Sequence, residues 1–219
     1  MRRLLVVAEG QTEQLFAKKL LSGYLRDKGM TNLVQSPVIK TTHGGLLSFS
    51  QLENDLNHYL RESDVVVTTM IDFYALPSDF PGYEDAARIV NHKDRVVYLE
   101  NALRNHFSKG KGFHLDTFVP YIQLHEFETM VFSSKDSFDI FDDSEVERKK
   151  LESIVEEYPD PELINDHRET APSKRLLKLI PGYNKVLYGN QMIERIGLEV
   201  VRSKCSHFNE WIEKVMVLL

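Results

Sequence analysis

The chain is poor in the features that would place it quickly. Cys205 is the single cysteine among 219 residues, which excludes a disulfide framework and a thiolate zinc cluster. No apolar run approaches the ~20 residues that a membrane-spanning helix needs, so no membrane association is expected. The start, Met1-Arg2-Arg3-Leu4, is basic, yet neither a long apolar region nor a small-residue cleavage site follows. No signal peptide is expected there, and a cytoplasmic protein is the default. A basic excess is missing too. The net charge is −6, which argues against a bulk electrostatic grip on nucleic acid. It leaves a nuclease open, because acids gathered at a metal site lower the net charge and bound cations reverse the local field. There is no G-x-x-x-x-G-K-[ST] loop, no G-x-G-x-x-G fingerprint and no G-x-S-x-G elbow. Neither a P-loop ATPase nor a dinucleotide enzyme is supported, and no nucleophile elbow is present. Internal repeats, low-complexity tracts and linkers are absent as well.

What is present is organised around Leu4-Leu5-Val6-Val7-Ala8-Glu9-Gly10-Gln11-Thr12-Glu13. The apolar run reads as a short strand buried on both faces, ending at Glu9. Gly10 permits a close backbone approach, and Glu13 falls in the first turn of a helix expected over 11–28, which Gly29 would cap. A second strand is expected at 33–40, then a polar loop containing His43-Gly44-Gly45, and a helix at 49–62. Residues 65–71, rich in valine, form the clearest strand and end at Asp72. A Pro- and Gly-bearing loop follows, then a helix over 83–107. A strand at 113–124, irregular near Pro120, runs into His125-Glu126-Phe127-Glu128. The rest reads as helical: a helix around 145–157, one starting at Ser173, a break at Pro181-Gly182, and a tail over 186–218. Alternating strands and helices predict crossover units and a mostly parallel sheet.

Three expected strands thus end in acids: Glu9, Asp72 and Glu126. In an open parallel sheet, ligands sit outside the carboxyl ends of the strands. If the three strands are neighbours, the carboxylates converge, which is unfavourable unless a cation lies among them or one takes a proton. Hard oxygen donors without cysteine favour Mg²⁺ or Mn²⁺, and such a cluster suits phosphodiester chemistry. Taken singly, Glu9 is also a plain polar strand end and Glu13 a favourable charge at a helix N-terminus. His125 is either a ligand or proton shuttle, or a satisfied surface group. Glu128 points away from Glu126 if that stretch is extended, and joins it if the chain is already turning helical. Lys174 and Arg175 sit at an expected helix N-terminus, either facing an anion or forming a solvated basic face with Lys178. Lys185 lies in a Gly/Tyr/Asn turn. His43-Gly44-Gly45 is either a phosphate contact or simply a loop.

The motifs Glu9–Glu13 (EGxTE), Asp72–Gly82 (DxYxLPxDFPG), His125–Glu128 (HEFE) and Ala171–Arg175 (APSKR) resemble those of a family of small bacterial Toprim-like proteins. The chain is also similar, through its strand-EG and strand-D corners, to the Toprim domain of topoisomerases, DnaG-type primases and the nucleases of overcoming-lysogenization-defect (OLD) proteins. The resemblance implies an α/β fold: a Toprim-like (Rossmann-like), mostly parallel sheet flanked by helices, with a helical C-terminal part. It implies a metal-binding core over 1–135 and a mainly helical extension over 136–219 packed on it. It implies a Mg²⁺- or Mn²⁺-dependent nuclease with Glu9, Asp72 and Lys174 as catalytic residues. Glu9, Glu13, Asp72, Glu126 and Glu128 would hold metal, and Arg175, Lys185 and His125 would contact nucleic acid. Tyr74 stands where Toprim domains carry a second aspartate; either Asp79, Glu126 or Glu128 substitutes, or one metal site is lost. Such proteins are often encoded beside an AAA or ABC-type ATPase, which implies the effector of a two-component phage-defence system. The alternatives are a non-catalytic module that docks such an ATPase, and a phosphohydrolase acting on nucleotides. A homo-oligomer is compatible with any of these.

Overall fold

A computed structural model of the chain describes residues 2–39, 46, 48–110, 112–141, 145–164 and 168–219. The loop His43-Gly44-Gly45 lies outside them. The protein is α/β, and its described residues form a five-stranded parallel sheet in the order β2-β1-β3-β4, in which β5 also pairs with β3. The strands are β1 (Arg3–Ala8), β2 (Val34–Gln35), β3 (Val65–Asp72), β4 (Phe118–Val119) and β5 (Ile122–Gln123). All eight residues of β3 are buried, as expected of a central strand covered on both faces.

Alternate side chains of β1 and β3 serve opposite faces. Leu5, Val7, Val67 and Ile71 pack with α3 (Phe49–Tyr59), α4 (Tyr83–Ala86) and α5 (His92–Ser108). Leu4, Val6, Val66 and Met70 pack against α1 (Gln11–Phe16), α2 (Ser22–Asp27) and the C-terminal helices. Those are α6 (Glu145–Glu157), α7 (Pro172–Leu179), α8 (Lys185–Ile196), α9 (Leu198–Lys204) and α10 (Ser206–Leu218). The C-terminal part therefore supplies one of the two layers over the sheet. Trp211 of α10 fixes it there. Its indole Nε1–H donates to Thr68 Oγ1 at 2.8 Å, and its ring stacks on Tyr121 at 4.3 Å.

Several expected elements differ in detail. The segment 113–124 is not one strand. A 3₁₀ turn, Leu115–Thr117, leads into β4, and β5 begins only after Pro120 and Tyr121. Pro120 has no N–H for the ladder, and Thr69 bridges the gap. Its hydroxyl accepts from the Tyr121 N–H at 2.9 Å and donates to the Tyr121 carbonyl at 2.8 Å. The second strand is reduced to two residues plus an isolated bridge from Val38 to Ala8. The helix over 11–28 is continuous but carries a π-helical stretch at Ala17–Leu21. Gly29, at φ 82°, ends it as expected. The helix over 83–107 is broken before Asn91, whose side chain accepts from the Asp94 N–H and starts α5. No described helix is long and apolar enough to cross a membrane.

Candidate metal centre

Parallel pairing brings the predicted acids to one rim. Ala8 is opposite Met70, so the chain emerges from β1 and β3 side by side, with Glu9 N–H bonded to the Met70 carbonyl at 3.0 Å. Glu9 Oε2 then accepts from the Asp72 backbone N–H at 3.0 Å. The next corner comes from β5, which pairs Gln123 with Asp72. His125 follows at φ 61°, a left-handed conformation that a bulky residue holds only when its surroundings fix it. They do so here: its ring meets the Tyr74 hydroxyl at 3.1 Å and the Glu162 carbonyl at 2.9 Å, and its own carbonyl accepts from Tyr74 N–H. This kink sends the chain into a 3₁₀ turn at Phe127–Ser133, so Glu126 and Glu128 are not on opposite faces of a strand. Glu128 is completely buried.

Glu13 reaches the same place from α1. Its Oε2 accepts from Gly10 N–H at 3.0 Å, half of a capping box whose other half Gly10 cannot supply. A Cβ on Gly10 would stand 3.3 Å from that oxygen, so the glycine leaves room for the carboxylate.

The cation among these acids is Lys185. Its Nζ lies 2.9 Å from Asp72 Oδ2, 3.3 Å from Glu128 Oε2 and 3.7 Å from Glu13 Oε1. The turn Pro181–Asn184 delivers it, with Gly182 at φ 76° and the Asn184 side chain capping α8 through the Leu187 N–H. Gly189, one turn on, packs α8 against Phe127, where a Cβ would meet the ring at 3.2 Å. Asn190 donates to the Thr12 carbonyl and ties α8 to α1.

One ammonium does not satisfy this many oxygens. Glu13 Oε1, Asp72 Oδ1 and both Glu128 oxygens are buried without a hydrogen bond among the described residues. Burial, first, and then the Asp72 charge push the Glu9 carboxyl up to about 8. Burial likewise raises Glu128 to about 7, against the opposing pull of Lys185. Glu13 and Asp72 are raised as well, again chiefly by burial. Burial alone would lower Lys185, but the charges of Asp72, Glu128 and Glu13 more than offset it and hold the amine protonated. Among the described residues no three of His, Cys, Asp or Glu are already drawn into ligating geometry. These buried carboxylate oxygens nonetheless fit a hard divalent ion: they are the donor type it takes, and they lack hydrogen bonds among the described residues.

Of the residues expected at the site, Glu9, Glu13, Asp72 and Glu128 come together. Glu126 borders them. Its charge raises the carboxyls of Asp72 and Glu128, while its Oε2 accepts from the Ser173 N–H at 2.9 Å. Lys185 is central, more so than its sequence context indicates. Lys174 is exposed and makes no ion pair with these acids, so Lys185, not Lys174, supplies the positive charge at the centre. Arg175 is a brace: its guanidinium donates to the carbonyls of Thr170 and Ile164 and lies over the Tyr158 ring. His125 is 0% exposed and acts as a structural tether beneath the rim, where a nucleic acid does not reach it. Asp79 is elsewhere, accepting from the Phe49 N–H at the start of α3, so it does not replace a second Toprim aspartate. Tyr183 was not anticipated. Its hydroxyl is buried and unpartnered among the described residues, and burial with the nearby Glu128 charge raises its pKa. The Pro-Gly-Tyr-Asn-Lys string was the available signal, since such a turn aims its flanking side chains rigidly.

The chain belongs to the family described as Domain of unknown function (DUF4276), whose model matches residues 8–216, from the last residue of β1 almost to the end of α10. Comparison with curated proteins and with solved structures gave no match.

Proposed function

We propose that this DUF4276 protein is a Mg²⁺- or Mn²⁺-dependent nuclease that hydrolyses nucleic-acid phosphodiester bonds. The observation that carries the reading is the gathering of Glu9, Glu13, Asp72 and Glu128 at one sheet rim, where four buried carboxylate oxygens lack a hydrogen bond among the described residues and share a single ammonium. Those residues, with Glu126 at the border, would hold the ion. When bound, it supplies Lewis-acid polarisation of a phosphoryl oxygen and a water of lowered pKa. Lys185, kept protonated by its neighbours, neutralises negative charge that builds on the non-bridging oxygens. Tyr183, kept neutral, offers a hydroxyl donor beside Glu128. Glu9 and Asp72 are held in register by the Asp72 N–H bond, so the two carboxylates present a fixed pair.

The test is cleavage of plasmid DNA and of folded RNA by the purified protein in Mn²⁺ or Mg²⁺. Glu9→Gln and Asp72→Asn remove charge without adding bulk and are expected to lower the rate by at least about 100-fold. Equal cleavage by both variants and the native chain would overturn the reading. In line with the Toprim resemblance, the setting proposed is cytoplasmic, with an AAA or ABC-type ATPase partner in phage defence. A second reading is a non-catalytic module that docks such an ATPase. Tyr74 favours it, because its hydroxyl is engaged with His125 where a second aspartate would ligate. Co-purification with the ATPase, without metal-dependent cleavage by the assembled complex, would select it.

A further inference from the structure

A cleft of about 700 Å³ lies between α6 and α7. Among the described residues its charged lining is Lys149, Lys150, Lys174, Arg175, Lys178 and one acid, Glu169. Five cations against one carboxylate among the described lining residues, on a chain of net charge −6, is a local reversal of sign. Like charges crowd at a cost unless an anion is shared among them. Lys150, Lys174 and Lys178 are exposed and form no ion pair with any described residue. The floor is apolar, with Ile154 and Leu179 among its lining residues. Arg175 is fixed in place by two carbonyls and the Tyr158 ring, which makes its planar guanidinium a preformed surface.

The cleft adjoins the metal centre through the chain itself. Ser173 N–H is bonded to Glu126 Oε2 at 2.9 Å, and Lys174, the next residue, lines the cleft. We infer that the cleft between α6 and α7 binds an unpaired nucleic-acid strand and leads its backbone toward the carboxylate rim. The lysines follow the phosphates, while the apolar floor and the Arg175 plane take base faces, the combination that single-strand sites use. A duplex keeps its base faces stacked inside, so only an unpaired strand presents them to the apolar lining and the Arg175 plane. The direction of the strand rests on the nuclease reading; the binding does not.

The experiment is fluorescence anisotropy in EDTA with a labelled single-stranded oligonucleotide, as DNA and as RNA, and with the same sequence as a duplex. The native protein binds the single strand more tightly than the duplex. Lys150→Glu, Lys174→Glu and Lys178→Glu together weaken single-strand binding by about 100-fold and reduce the slope of log K against log salt by about 2. A control of equal charge change on other exposed lysines, Lys18→Glu, Lys19→Glu and Lys204→Glu, leaves binding within a factor of about 5. The inference is overturned if the cleft variant binds as tightly as the native chain, if the control is weakened equally, if the duplex binds as well as the single strand, or if the native chain binds neither. Cleavage assays separate it from the parent reading. Cleavage that persists undiminished in the cleft variant removes the cleft while the nuclease stands. Cleft-dependent binding without any metal-dependent cleavage removes the nuclease while the cleft stands.

Discussion

Lys185→Met is the most direct probe of the carboxylate rim, because it removes the charge and keeps most of the stem. The ammonium lies 2.9, 3.3 and 3.7 Å from three buried carboxylates. Breaking a fully buried pair costs about 3–5 kcal/mol, since an uncompensated charge is left behind. The Lys185 side chain is 36% exposed, so solvent screening reduces that figure. A cost of about 1–3 kcal/mol is the reasonable range after that discount. For a chain of this length it corresponds to a fall in Tm of roughly 2–12 °C, measured by calorimetry in EDTA. A second consequence has the opposite sign. On the proposed metal-binding reading, the ammonium and a divalent ion compete for the same oxygens, so the variant is expected to gain more stability from Mn²⁺ than the native chain does and to bind it more tightly in titration calorimetry. On the proposed nuclease reading, cleavage falls all the same, because the amine is no longer there to neutralise the phosphoryl oxygens. A variant with an unchanged Tm in EDTA and an unchanged Mn²⁺ response would refute the assignment of Lys185 as the resident counter-charge.

Two further outcomes follow from other parts of the molecule. In EDTA, stability declines as pH rises from about 5 to about 8.5. The raised carboxyls of Glu9, at about 8, and Glu128, at about 7, contribute stability below their unfolded value of 4.5 and lose it as pH climbs through the folded one. His207 acts in the same direction above 6.5. Burial lowers its pKa, but the hydrogen bond and charge of Glu100, with Glu162, raise it overall. Glu128→Gln, which mimics the protonated acid, removes about 3 kcal/mol of that decline; an unaltered slope by denaturant titration across pH would contradict the burial argument. Trp211→Phe leaves Thr68 Oγ1 without the indole donor that reaches it at 2.8 Å and shrinks the stack on Tyr121. It is expected to cost about 1–3 kcal/mol with no effect on metal binding, and a loss of Mn²⁺ response in that variant would show the two layers to be coupled.

How much of this was legible beforehand depends on the range over which each contact acts. Leu4–Ala8 and Val65–Ile71 announce themselves because a strand covered on both faces must be apolar without interruption. The polar residue ending each run is then conspicuous, and parallel pairing does the rest: Glu9 and Asp72 needed no further information to become neighbours. The 113–124 segment reads as continuous because Pro120 removes one N–H without altering the apolar pattern around it, and the repair comes from Thr69, on another strand. The π-helical stretch at Ala17–Leu21 escapes for a similar reason, since a single wider turn barely disturbs a stripe of buried side chains. Lys185 was underrated on different grounds. Its value lies in Asp72, 113 residues earlier, and in Glu13 and Glu128, none of which shares a local signature with it. What places it is the fit of Gly189 against Phe127 and the Asn190 bond to the Thr12 carbonyl, two contacts that set the height of α8 over the rim. Lys174 carried the better local argument, a basic residue at a helix start, and yet α7 turns it outward to the α6 cleft while the backbone beside it serves Glu126. A sequence advertises where carboxylates collect because strands impose their own register. It does not advertise which distant lysine answers them, because that choice is made by helix packing, here by Gly189 against Phe127 and Asn190 on the Thr12 carbonyl.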